Sequence, residues 1–116
     1  MKLMSNNVSE LLDEKVIEFN SRIDNEPNFS KMIEGKNRTI CICVSDGDTY
    51  ASKLEDLRIE DFAIIEDNTA DLVITANSET LIALIQREIS PVKAYMKGDL
   101  KVKASLTDML LLKKLF

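Results

Sequence analysis

A chain of 116 residues, 45% apolar and 30% charged, suits a single globular domain over residues 1–116 with one hydrophobic core. No apolar run approaches the ~20 residues needed to cross a bilayer, residues 1–7 lack the apolar region of a secretory signal, and a net charge of −5 argues against generic nucleic-acid binding. Cys41 and Cys43, two residues apart, offer no disulfide framework, and the expected compartment is a reducing cytoplasm.

The first helix is predicted over 8–24, where Val8, Leu11, Leu12, Val16, Phe19 and Ile23 recur at helical spacing with Glu10, Asp13, Glu14 and Glu18 mostly opposite. Pro27 then opens a short second helix with Phe29, Met32 and Ile33 on its apolar side, and Gly35 closes it. A strand follows over 39–45, with Ile40, Ile42 and Val44 facing one way and Cys41 and Cys43 the other. Asp46-Gly47 signals a hairpin turn, since glycine accepts positive φ. Further strands are predicted over 49–56, 57–66 and 71–76, with a turn at Asp67-Asn68-Thr69, and the short connections favour an antiparallel meander.

Asn77 or Ser78 caps a helix with Leu81, Leu84, Ile85 and Ile89 on one stripe. Ser90-Pro91 starts another short helix and Gly98 ends it. The fifth strand, 100–104, sets Leu100, Val102 and Ala104 against Lys101 and Lys103. Ser105 caps a closing helix over 106–116, with Asp108 in a capping-box position. The order ααββββααβα is an α+β arrangement: a five-stranded, largely antiparallel sheet covered by helices.

Much chemistry is excluded. There is no histidine, hence neither the usual general base near neutral pH nor an imidazole metal site. The three glycines, Gly35, Gly47 and Gly98, build no phosphate-binding loop. Cys41 and Cys43 lack further soft ligands and read as small core residues. Asp46 and Asp48 flank Gly47 without the spacing of a calcium loop and read as a plain turn. Glu66 and Asp67, at a hairpin end, fit no mechanism. No catalytic constellation or cofactor site is expected.

The collective feature is an apolar excess toward the C-terminus. Leu81, Leu84, Ile85, Ile89, Met96, Leu106, Met109, Leu110, Leu111, Leu112, Leu115 and Phe116 offer more apolar surface than two short helices need to cover one sheet face, methionine adapts to variable shapes, and Leu81, Leu84, Ile85, Met96, Leu106, Met109 and Leu110 are the candidate ligand-binding residues. Such an excess fits the lining of a lipid pocket, and it equally fits a homodimer interface. Charge is also uneven. Residues 1–92 carry a net −9, and residues 93–116, with Lys93, Lys97, Lys101, Lys103, Lys113 and Lys114 against Asp99 and Asp108, carry +4. Solvated strand and helix faces account for this, as does a basic rim for transient contact with anionic membranes.

The run Ser90-Pro91-Val92-Lys93-Ala94-Tyr95-Met96-Lys97-Gly98-Asp99-Leu100-Lys101-Val102-Lys103 resembles the sterol carrier protein domain, the type-two non-specific lipid-transfer family. It has that family's polar-Pro turn, an Ala followed by two bulky apolar residues, a polar-Gly pair and a Leu-Lys-Val-Lys strand. Residues 106–116 are similar to the family's closing amphipathic helix. The chain departs from the pattern in having Arg87-Glu88 where Gly-Lys is frequent, Ala104 where Gly is frequent, and no tryptophan. The resemblance implies a hydrophobic tunnel between sheet and helices, binding of a fatty acid, acyl-CoA, sterol or other lipid, and no intrinsic catalysis. The alternative from a different class is an interaction module, docking a partner enzyme or a second copy through the apolar C-terminal helix.

Overall fold

The computed structural model describes residues 3–66, 69–105 and 108–109. Helix α1 covers Leu3–Asn25, starting earlier than the periodicity indicates, and buries Val8, Leu12, Val16, Phe19 and Ile23 as one stripe. Lys15 shares that buried stripe, and its ammonium donates to Glu18 Oε1 at 3.1 Å. The charged end thus has a partner, which is how a lysine can be buried at all. Helix α2, Pro27–Ile33, has proline in its first turn. The Phe29 ring meets Phe19 edge-on at 5.0 Å, and the Arg22 guanidinium stands 4.2 Å over it, fixing α2 against α1.

Among the described residues six strands follow: β1 Arg38–Val44, β2 Thr49–Glu55, β3 Arg58–Ile59, β4 Ala63–Ile65, β5 Leu72–Ala76 and β6 Lys101–Lys103. The sheet order is β3-β2-β1-β5-β6, with β4 also pairing β2. Four of the five pairings are antiparallel, but β1 and β5 run parallel from Ile40–Leu72 to Val44–Ala76. The sheet is therefore mixed, and the four-strand meander does not form.

A side-chain clip closes one end of the parallel pair and a backbone bond the other. At one end the Thr39 amide donates to Asp71 Oδ2 at 3.0 Å and the Asp71 amide donates to Thr39 Oγ1 at 2.9 Å. At the other, the Ser45 amide donates to the Ala76 carbonyl at 2.9 Å. The strand expected over 57–66 is two pieces, β3 and β4. Its first residue lies in a turn, because Asp56 and Leu57 both take positive φ, 54° and 60°. This is a two-residue hairpin loop without the glycine that usually marks one. Gly47 departs from expectation differently. It does not adopt positive φ, and a Cβ there would sit 3.2 Å from Val44 Cγ1, so close approach explains the glycine.

Helix α3 spans Ser78–Ile85 and α4 spans Pro91–Lys97. Asn77 Oδ1 accepts from the Thr80 amide at 2.8 Å. Asp46 adds a second cap across the fold, its carboxylate accepting from the Ser78 amide at 2.7 Å and the Ser78 hydroxyl at 2.9 Å. The backbone bond from Ser78 holds the Asp46 carboxyl below its usual range. The residue read as a plain turn thus also anchors α3. One buried cluster joins α1, α2 and α3 to Ile40, Ile42, Val44, Leu54, Leu72 and Ile74 on one sheet face. On the opposite face Cys41 is fully buried and Cys43 partly, their sulfurs 3.7 Å apart.

Candidate functional site

The sequence features worth following converge where α3 hands over to α4. The stripe of α3 faces inward: Leu81, Leu84 and Ile85 are buried in the core, packed toward α1. After Gln86 the helix stops in a two-bond motif, the Arg87 amide donating to the Leu84 carbonyl at 3.1 Å and the Glu88 amide to the Ala83 carbonyl at 2.8 Å. That motif requires a left-handed residue at its hinge, ordinarily glycine, and here Arg87 fills it with φ 62°. A guanidinium nitrogen of Arg87 reaches Glu18 at 2.7 Å, so Glu18 joins α1, through Lys15, to the end of α3. Partial burial pushes the Glu18 carboxyl up, but the hydrogen bonds and charges of Lys15 and Arg87 outweigh it and hold the group below its ordinary value. Its stabilising contribution is therefore present at neutral pH and is lost only in acid, as pH falls through the lowered value.

The strain at Arg87 carries a prediction. Relief of a left-handed side chain gains ~1 kcal/mol, while glycine's extra freedom in the unfolded chain and the loss of an exposed ion pair together cost about as much. Arg87→Gly should accordingly stay within about 0.5 kcal/mol of the parent, whereas Arg87→Val, branched at Cβ, should lose about 1–2 kcal/mol. Urea unfolding of both variants decides this, and equal losses would show that the hinge is unstrained.

Beyond Arg87 the chain is half exposed at Ile89, and Ser90 Oγ caps α4 by accepting from the Lys93 amide at 3.0 Å. Helix α4 buries Ala94 and ends at Gly98, φ 85°. Two open concavities meet here and share Glu88, Ile89 and Ser90. One, about 260 Å³, is completed by Lys93, Ala94, Lys97 and Asp99. The other, about 310 Å³, is completed by Leu84, Arg87 and Pro91. Both are near the small end of ligand sites.

Of the seven residues the sequence singles out, Leu84 borders a concavity, while Leu81 and Ile85 lie in the core behind it. Met96 points outward and is 78% exposed. Met109 is half-buried, and Leu106, Leu110 and the rest of the predicted closing helix lie outside the described residues, as do Asp67 and Asn68 of the predicted turn. Ile89 belongs to the predicted apolar excess but not to the seven candidate residues, and the Ser90-Pro91 corner is not among the expected lining. Their signal was available, since a Ser-Pro helix start straight after another helix forces a tight corner.

The start of the final helical segment is held to the sheet. Arg38 Nε donates to Asp108 at 2.8 Å and 3.0 Å, and Asp108 is nearly inaccessible to solvent. Ser105 Oγ accepts from the Asp108 amide at 3.2 Å, one half of the expected capping box. The Asp108 carboxylate, however, goes to Arg38. Among the described residues no cluster of three or more Cys, Asp or Glu could hold a metal, and no helix is long and apolar enough to cross a membrane.

Comparison with known proteins agrees with this fold. The profile of a family described as the SCP-2 sterol transfer family matches residues 15–116. No curated protein sequence matches the chain. Among solved structures, the fold is similar to sterol carrier protein 2 from Aedes aegypti in complex with the C16 fatty acid palmitate, with TM-score 0.65 and 12% identity over 98% of this chain and 94% of that one. It is similar to a crystal structure of sterol carrier protein 2 with TM-score 0.64 and 17% identity, again over 98% and 94%. A stereoselective sec-alkylsulfatase from Pseudomonas sp. contains a similar portion, TM-score 0.61 and 16% identity over 75% of this chain. The chain spans 14% of that enzyme's length.

Proposed function

The chain belongs to the SCP-2 sterol transfer family, and from that premise we propose that it is a non-catalytic lipid-holding domain whose ligand is a fatty acid or another molecule with a long apolar chain, such as an acyl-CoA or a sterol. The observation that carries this reading is Leu84, which belongs both to the buried core and to the wall of an open concavity, on a fold matched over 98% of its length by a palmitate complex. A chain entering past Ile89 reaches Leu84 directly, with Leu81 and Ile85 of the same stripe behind it. Met109 and the predicted residues Leu106 and Leu110 complete the lining in this reading, and Met96 serves the exterior instead.

Magnitudes permit it. Burying sixteen carbons at ~0.8 kcal/mol each gives a gross gain of about 13 kcal/mol, against an association cost of roughly 4–15 kcal/mol. The surplus is small, which suits reversible carriage. The test is a thermal melt of delipidated protein with palmitate, cholesterol and an acyl-CoA, each added separately. A ligand at 100 times its dissociation constant adds ~2.7 kcal/mol, a rise of about 10 °C for a domain of this size. No rise with any of them, in protein shown lipid-free by native mass spectrometry, overturns the proposal.

A further inference from the structure

Cys41 and Cys43 are the chain's only cysteines, and the lipid-holding reading uses neither. They stand two apart on β1, on the sheet face away from the buried cluster, with Cys41 fully buried, Cys43 partly buried and their sulfurs 3.7 Å apart. Strand β1 is paired on both sides: Cys41 lies opposite Ala51 of β2 and Val73 of β5, and Cys43 opposite Thr49 and Thr75. Alternate residues of a strand lie roughly 6.6 Å apart at Cα with parallel Cα–Cβ bonds, at the outer limit of what a disulfide spans. Closing one here would buckle a strand that two ladders hold straight. The pair is therefore kept as a dithiol, reached from solvent past Cys43. We propose that Cys41 and Cys43 form a bidentate site for a single soft monovalent metal ion, copper(I).

Coordination number selects the ion. Two metal–sulfur bonds of ~2.3 Å together span up to ~4.6 Å, so sulfurs 3.7 Å apart are within reach of one ion placed between them. The chain has no histidine, and among the described residues no carboxylate joins the pair. Zinc, which takes four ligands, is left half-coordinated, whereas copper(I) prefers thiolate sulfur and is satisfied by two. Loading is an exchange without oxidation. Copper(I) held by two small thiolates passes to the two protein sulfurs, two copper–sulfur bonds form as two break, and both cysteine protons leave on the released thiols. The bound unit, two thiolates and one cation, carries a single negative charge. Register sets Lys103 opposite Val73 and Lys101 opposite Thr75, so both lysines share the face of the sulfurs, two strands away on β6. Lys53, opposite Thr39, lies on that face too, although Glu55 pairs with it at 2.9 Å. The surplus of positive charge on this face favours an anionic complex over a neutral one.

The experiment titrates the reduced chain with copper(I) under argon against a chromophoric copper(I) chelator. Transfer of one copper per chain is expected, with sulfur neighbours by X-ray absorption and a rise in melting temperature that zinc does not reproduce. Cys43→Ser should weaken binding about a hundredfold or more, since even a residue that only orients a metal ligand is worth ~10–100-fold. Cys41→Ala, which leaves no polar atom in the buried position, should do the same. Circular dichroism melts of the copper-free variants separate loss of a ligand from loss of the fold, and Cys43→Ser decides alone if Cys41→Ala does not fold. No transfer to the parent, undiminished binding by a folded variant, copper bound through oxygen or nitrogen, an equal rise with zinc, or one copper shared between two chains would each overturn the proposal.

Discussion

Leu84→Ala is expected to cost about 3 kcal/mol and lower the melting temperature by about 10–15 °C, and added palmitate is expected to return a substantial part of that loss. Leu84 is 1% exposed, and truncating a buried leucine removes its transfer energy and leaves a cavity, together 2–5 kcal/mol. The void would open into the concavity formed with Arg87, Ile89 and Pro91, where a ligand chain can refill it. Leu81, fully buried, borders neither concavity. Leu81→Ala should therefore cost about as much without ligand but recover little beyond the mass-action gain of the parent. Paired melts with and without palmitate make the comparison. Equal recovery in the two variants would place the ligand away from α3.

The second large effect concerns Arg38 and Asp108. The Asp108 side chain is 6% exposed and that of Arg38 30% exposed, so the two halves of this pair are not equivalent. Arg38→Met strands a carboxylate in a nearly dry site, for which removal of one partner of a buried pair costs up to 3–5 kcal/mol, discounted here to about 2–3 by the partial exposure of the arginine. Asp108→Asn leaves a guanidinium that can turn to water and should cost about 1 kcal/mol. Combining Arg38→Met with Asp108→Asn removes the stranded charge and should restore part of the larger loss. Chemical unfolding of the two single variants and the double variant closes the cycle. If Asp108→Asn proved the costlier change, the buried-charge argument would fail.

These expectations use contacts that differ in how visibly they are written in the chain. The helices were legible because their determinants are local. The stripe Val8, Leu12, Val16, Phe19 and Ile23, the Pro27 start, the Asn77 cap and the Ser90-Pro91 and Gly98 punctuation all lie within a turn or two of what they control. The family pattern over residues 90–103 was legible for the same reason. The hinge at Arg87 and the turn at Asp56-Leu57 were not, because each places a side chain at a positive φ where local rules expect glycine. Met96 joins the expected lining for its apolar and adaptable side chain, while its 78% exposure depends on which side of α4 the fold covers.

The sequence by itself determined the apolar stripes, caps and turns, and with them the α+β class, since period and capping are properties of neighbours along the chain. It also determined what chemistry is missing, since without histidine no arrangement can supply an imidazole. Only the tertiary structure decided that β5 returns to run parallel to β1, because an alternating strand buries the same side chains whichever direction its partner takes. Only the tertiary structure brought Arg38 to Asp108 and Glu18 to Arg87, 70 and 69 residues apart, since charges find partners by proximity in space and nothing local specifies the pair. The corner of Leu84, Ile89 and Pro91 belongs to the same class: each residue has a local reason to be where it is, and the concavity exists because the packing of α3 against α1 and the burial of Ala94 leave that space open.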